Sequence, residues 1–95
     1  MSSEDLERYE AENELALFRE YRDVIGMFRY VIETDRRSYL ANKVVRLSEP
    51  GSEVVEYELA DAWVWDVYRQ SRFLSKVTIS SVKGITIEEL PEREL

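Results

Sequence analysis

EVVEYELADAWVWDVY, residues 53–68, is the segment on which the reading of this chain turns. Val55, Tyr57, Leu59, Trp63, Trp65 and Val67 share one parity, and Asp61 is the only polar member of that row. Alternation of period two over so many positions is the pattern of a strand with one buried face. Sixteen extended residues would reach roughly 50 Å, more than a small domain can use in one strand. A bend or bulge is therefore expected near Ala60–Asp61. Asp61 is the candidate buried polar residue, lying on the tryptophan face and accepting backbone amides or pairing with an arginine. Trp63 and Trp65 are the candidate core aromatics, at least one of them buried. They point with Val55, Tyr57 and Leu59 to the face a helix must cover, and rings of this size are the largest hydrophobic contribution available to a small domain.

Working outward, residues 3–25 predict one helix. Leu6, Tyr9, Asn13, Leu17, Tyr21 and Val24 recur at three- and four-residue spacing, with Leu15, Phe18 and Ile25 widening the stripe. Ser2 or Ser3 is expected to cap the first turn, where Glu4, Asp5 and Glu7 complement the helix dipole. Gly26 is expected as a left-handed C-terminal cap. The period then changes to two. MFRYVIET (27–34) and SYLANKVVRL (38–47) predict strands, SEPGS (48–52) a loop, FLSKVTISSV (73–82) a further strand, and ITIEEL (85–90) a short last one. The expected fold is α+β: a long N-terminal helix packed on an antiparallel meander of about four strands, 27–88, in a single domain 1–95 with a frayed tail at 91–95.

Composition bounds the function. Lys and Arg total 13 against 20 Asp and Glu, a net charge of −7. That balance argues against a polyanion or an anionic membrane surface as the main partner. The acidic N-terminus is not a targeting sequence, and no apolar run is long enough to span a bilayer, so a cytoplasmic protein is expected. Cysteine and histidine are both absent, which removes thiol nucleophiles, the commonest zinc ligands and the commonest general base. Gly26, Gly51 and Gly84 are scattered, so neither a Walker nor a dinucleotide phosphate loop is present. No catalytic residue, cofactor site or metal site is expected.

The charge falls in blocks. Residues 47–68 hold six acids and no base, and residues 69–83 hold four bases and no acid. In a meander such blocks pair neighbouring strands, and Asp66 is expected to pair with Arg69, Arg72 or Lys76. The basic turn 69–72 is also the place where positive charge, aromatic side chains and exposure coincide. Tyr68, Arg69, Arg72 and Phe73 are therefore the candidate partner-contact residues. Cross-strand pairing of the two arginines with Asp66, Glu58 or Glu56 is the structural alternative.

EDLERYEAENELALFREYRDVIGMFRYVIETDRRSYLAN (4–42), DAWVWDVYR (61–69), RF (72–73) and IEEL (87–90) together resemble the actinobacterial domain-of-unknown-function family 2469. The resemblance covers nearly the whole chain, and the tryptophan segment is its most specific part. It implies a small actinobacterial cytoplasmic protein of a kind encoded near ribonuclease HII and signal peptidase I genes. It brings no catalytic residue with it. Gln70 departs from the family pattern, which has proline after the arginine of VYR, and this bears on the turn geometry alone. The function expected is a non-catalytic domain that binds another protein, with a homodimer among its forms. The alternative is a nucleic-acid- or ribosome-associated factor using Arg29, Arg36, Arg37, Arg46, Arg69, Arg72 and Lys76.

Overall fold

The computed structural model describes residues 3–92. Helix α1 (Ser3–Val24) runs for 22 residues and tightens into a 3₁₀ turn at Ile25–Met27. Strands β1 (Tyr30–Glu33), β2 (Ser38–Arg46), β3 (Val55–Val64), β4 (Phe73–Ser81) and β5 (Thr86–Glu89) follow. They form one antiparallel sheet in the order β4-β3-β2-β1-β5. The expected α+β architecture is present, with five strands where about four were expected, because the short TIEE segment (86–89) pairs fully with β1. The expected serine cap falls on Ser2 and the Ser3 side chain, and the end of the expected tail on residues 93–95, all outside the described residues. Gly26 does not form the expected left-handed cap: only Gly51 and Gly84 have positive φ among the described glycines. The helix instead closes through the 3₁₀ turn, where the Phe28 amide donates to the Ile25 carbonyl at 3.3 Å.

The helical stripe is seated over only half its length. Leu17, Val24 and Phe28 are buried together with Leu40 and Trp63, and Tyr21, Val31 and Trp65 pack around them. Residues 4–12 of α1 are exposed throughout. The sheet below ends where β3 ends, so no strand covers the first three turns among the described residues.

The second apolar cluster lies on the other face of the sheet and contains Ile32, Tyr39, Ala41, Leu59, Ala62, Val64 and Ile79. Its membership shows a break in alternation. Ala41 and Val44, Ala62 and Leu59, and Leu74 and Val77 share this face although each pair is three residues apart. The pairing register is nevertheless the same on both sides of the break, in β2–β3 and in β3–β4. All three strands thus switch faces at one level, that of Asn42, Asp61 and Ser75. Asp61 is left-handed there, with φ 51°, and its carboxylate accepts the Asn42 side-chain amide at 2.6 Å. Aspartate is among the few residues that adopt this conformation as a single residue, because its short polar side chain bonds locally.

Two expectations are corrected by this bend. Tyr57 and Leu59 do not share a face with Trp63 and Trp65; they belong to the opposite cluster. Asp61 is not buried but exposed, since the left-handed backbone turns it out of the apolar row to its bond with Asn42.

The bend also lets the sheet curl. Strands β4 and β5 are the two edges, yet only residues 82–85 separate them in sequence. A flat sheet would put the edges ~19 Å apart, more than a bent four-residue link reaches. Ser81 Oγ at the end of β4 donates to Asp35 Oδ1 in the β1–β2 turn at 3.1 Å, a contact that skips over β3 and β2. The inner cluster is therefore wrapped by the sheet itself, and α1 lies outside, on the tryptophan face.

Candidate functional site

Beyond Val64 the chain leaves the sheet and returns to β4 through residues 65–72. Asp66 organises this turn: its Oδ1 accepts the Tyr68 amide at 3.0 Å and its carbonyl accepts the Arg69 amide at 3.3 Å. This is the side-chain turn for which aspartate is suited. It leaves Tyr68 92% exposed.

Arg72 anchors the turn to the helix. Its Nε donates to Glu20 Oε1 at 2.7 Å, its Nη2 donates to Glu20 Oε2, and its Nη1 donates to the Arg69 carbonyl at 2.8 Å. The Trp63 indole N–H donates to the same Glu20 Oε1 at 2.8 Å. One carboxylate on α1 thus collects donors from β3 and from the turn, with both ionic side chains about a quarter exposed or less (27% for Glu20, 20% for Arg72). The Arg72 hydrogen bonds hold the Glu20 carboxyl below its ordinary value of 4.5, against the opposing effect of burial and with help from the Trp63 N–H. The same pair holds the Arg72 guanidinium above its usual range.

Arg72 is therefore committed to the fold, not free for contact, and its partner is none of the cross-strand acids expected. Glu58 pairs with Lys76 at 3.7 Å, and Asp66 pairs with Arg37 at 3.8 Å. Glu20 could not be found by spacing, since 52 residues separate it from Arg72 and it sits on a helix crossing the sheet. Arg72→Ala is expected to destabilise by about 1.5–3 kcal/mol, because it strands a charged acceptor. Arg69→Ala, at an exposed site, should change stability by less than about 0.5 kcal/mol. Urea denaturation of both variants checks the contrast.

A pH dependence follows from Glu20. Its pKa is depressed in the folded state, so its contribution is fully present above the unfolded carboxylate value, near 4.5, and is lost as pH falls through the lower folded value. The stability gap between the parent and Glu20→Gln is expected to be flat from neutral pH down to the ordinary carboxylate range and to shrink below it. Equal gaps at neutral pH and in strong acid would contradict the assignment.

The unseated half of α1 and the 65–68 segment enclose a groove of about 770 Å³. One wall is helical, with Leu6, Tyr9 and Leu17 at its base and Glu10 and Glu14 along it. The rest of the lining is Trp65, Asp66, Val67 and Tyr68, with Arg36 and Arg37 of the β1–β2 turn. Leu6 is 48% exposed, Tyr9 61% and Val67 37%, so the lining is apolar surface left in water. Trp65 is half-buried, held edge-on by Phe18 at 4.9 Å and Tyr21 at 5.2 Å. Of the four candidate contact residues, only Tyr68 reaches the groove. Arg69 is exposed on the turn, and Phe73 is 51% exposed where β4 begins opposite Trp63. Leu6 and Tyr9 were legible only as members of a core stripe; nothing in their spacing says that the sheet stops short of them. Among the described residues no group of three acidic side chains could hold a metal ion, and no helix is long and apolar enough to cross a membrane.

A family model described as "Protein of unknown function (DUF2469)" matches residues 1–95. Among curated proteins, the uncharacterized protein Rv2901c of Mycobacterium tuberculosis is 53% identical over 97 residues, covering 100% of this chain and 96% of its own. The uncharacterized protein Mb2925c of Mycobacterium bovis matches with the same identity and the same coverage. No solved structure matches the chain.

Proposed function

We propose, from the premise that this chain belongs to the DUF2469 family, that it is a non-catalytic protein-interaction domain of the cytoplasm whose contact surface is the groove between α1 and residues 65–68. The observation that carries this reading is the half-seated helical stripe. Leu6 and Tyr9 continue the row of Leu17 and Val24, yet the first pair is about half exposed and the second is buried. Exposed apolar surface that forms a concave, polar-rimmed patch is characteristic of protein contacts.

Nucleic acid is the weaker reading. Of the seven basic residues considered for it, Arg29, Arg37, Arg72 and Lys76 each lie within 4 Å of an acid. Arg46 is turned onto the Tyr57 ring and the Ser48 carbonyl. What remains does not form a stripe that could follow a phosphate backbone.

The test is affinity capture from native cytoplasm with parent protein and Tyr9→Arg as baits, each with and without nuclease. A protein retained after nuclease by the parent and lost by Tyr9→Arg is the expected result. Capture that disappears with nuclease, or that Tyr9→Arg leaves intact, would reject the groove as a protein-binding surface.

A further inference from the structure

The groove carries both signs of charge: opposite the helix, Asp66 and Arg37 are paired with each other at 3.8 Å, and other charged groups lining it are not. Glu10 and Glu14 line it from the helix, and Arg36 lines it from the β1–β2 turn. Within the chain, among the described residues, none of these three is joined in an ion pair. A foreign partner would have to supply a matching basic row and a matching acid. A second copy of this chain supplies Arg36 for the glutamates and Glu10 and Glu14 for the arginine, together with the apolar side chains of Leu6 and Tyr9.

We infer that the groove is occupied by a second copy of the chain, in a two-fold symmetric pairing. The exposed first three turns of α1 of each copy lie in the groove of the other. This deepens the interaction reading above by naming its partner. In such a pairing the same patch is used twice, so every contact is made in duplicate. Leu6 and Tyr9 of one copy cover Trp65 to Tyr68 of the other. Glu10 and Glu14 face the partner's Arg36, and the reciprocal contact repeats it. Each copy carries a net charge of −7, and the resulting repulsion is screened beyond roughly 8 Å at physiological salt, so the local complementarity decides.

The test is sedimentation equilibrium of the full chain at physiological ionic strength, across concentrations up to several hundred micromolar. The expected species is a dimer of twice the 11.3 kDa chain mass. Tyr9→Arg should raise the dissociation constant by roughly a hundredfold or more, and Arg36→Glu and Glu10→Arg each by roughly tenfold, with unchanged melting of the monomer. The decisive arm is an equimolar mixture of Arg36→Glu with Glu10→Arg. In a two-fold dimer the mixed pair has one native and one reversed ion pair between positions 10 and 36, whereas each variant paired with itself has two like-charge contacts there. Association should return to within about threefold of the parent value, a difference well under 1.4 kcal/mol. A parent that stays monomeric throughout, or a mixture no tighter than its components, would overturn the inference. The interaction reading fails separately, when Tyr9→Arg leaves capture of a foreign protein unchanged or when no protein survives nuclease and the chain is also monomeric.

Discussion

Replacing Trp63 by alanine is expected to lower the unfolding free energy by about 3–5 kcal/mol, the cost of a large aromatic removed from a filled core. Trp63 is 1% exposed and is the largest of the fully buried side chains. Its ring meets Tyr21 at 5.7 Å and Trp65 at 5.9 Å, and its N–H is one of the donors that hold Glu20. The variant therefore loses burial, ring contacts and a hydrogen bond to a charged acceptor together. A small domain holds only about 5–15 kcal/mol, so the variant should be marginally folded at room temperature. Trp65→Ala should cost less, about 1–2 kcal/mol, because that ring is half-buried and is covered by the exposed Phe18. Urea denaturation followed by far-ultraviolet circular dichroism measures both without relying on the indoles. Equal midpoints for the two variants would mean that the helix does not discriminate between the tryptophans as the structure requires.

Leu59→Ala should cost about 2–5 kcal/mol, since Leu59 is 0% exposed and a cavity there has little means of collapsing. The size of that loss is less informative than what it couples to. Leu59 shares the inner cluster with Ile79, whereas Leu17 lies in the helix-side cluster with Trp63. A double-mutant cycle between Leu59→Ala and Ile79→Ala should show an interaction energy of about 0.5 kcal/mol or more. The cycle between Leu59→Ala and Leu17→Ala should be additive within about 0.5 kcal/mol, because the sheet lies between them. Unbroken alternation would put Leu59 and Ile79 together on the tryptophan face, leaving the first cycle coupled and making the second non-additive. The cycle thus tests the change of faces at Asp61 directly.

The helix, the strands and their order along the chain were legible in the sequence because each rests on local periodicity. A stripe at three- and four-residue spacing can only be a helical face, and alternation can only be a strand. The need for a bend near Asp61 was legible too, from length alone. What alternation could not give is which face a residue occupies after the bend. A single left-handed residue costs the chain little when it is an aspartate whose carboxylate finds a donor, here the Asn42 amide on the next strand, and it inverts every side chain that follows. The matching changes at Asn42 and Ser75 carry no mark in the sequence, since they are imposed across the ladder by Asp61 and by the need to keep register. Family membership was legible from the tryptophan segment and its flanks, which the family model covers completely.

The candidate site was legible only in fragments. Tyr68 was singled out for its neighbours in sequence, and it does line the groove. Arg72 was singled out for the same reason, and it turned out to belong to the fold, because its partner Glu20 comes from a helix whose crossing of the sheet no spacing encodes. Leu6 and Tyr9 have the same periodicity as Leu17 and Val24, so the sequence determined that they lie on the apolar face of the helix. Only the tertiary structure decided that they stay outside the chain's own core. Amphipathicity specifies which side of a helix prefers burial, but burial itself needs an opposing surface of equal length. Here the surface ends with β3 at Val64, where the sheet runs out before the helix does.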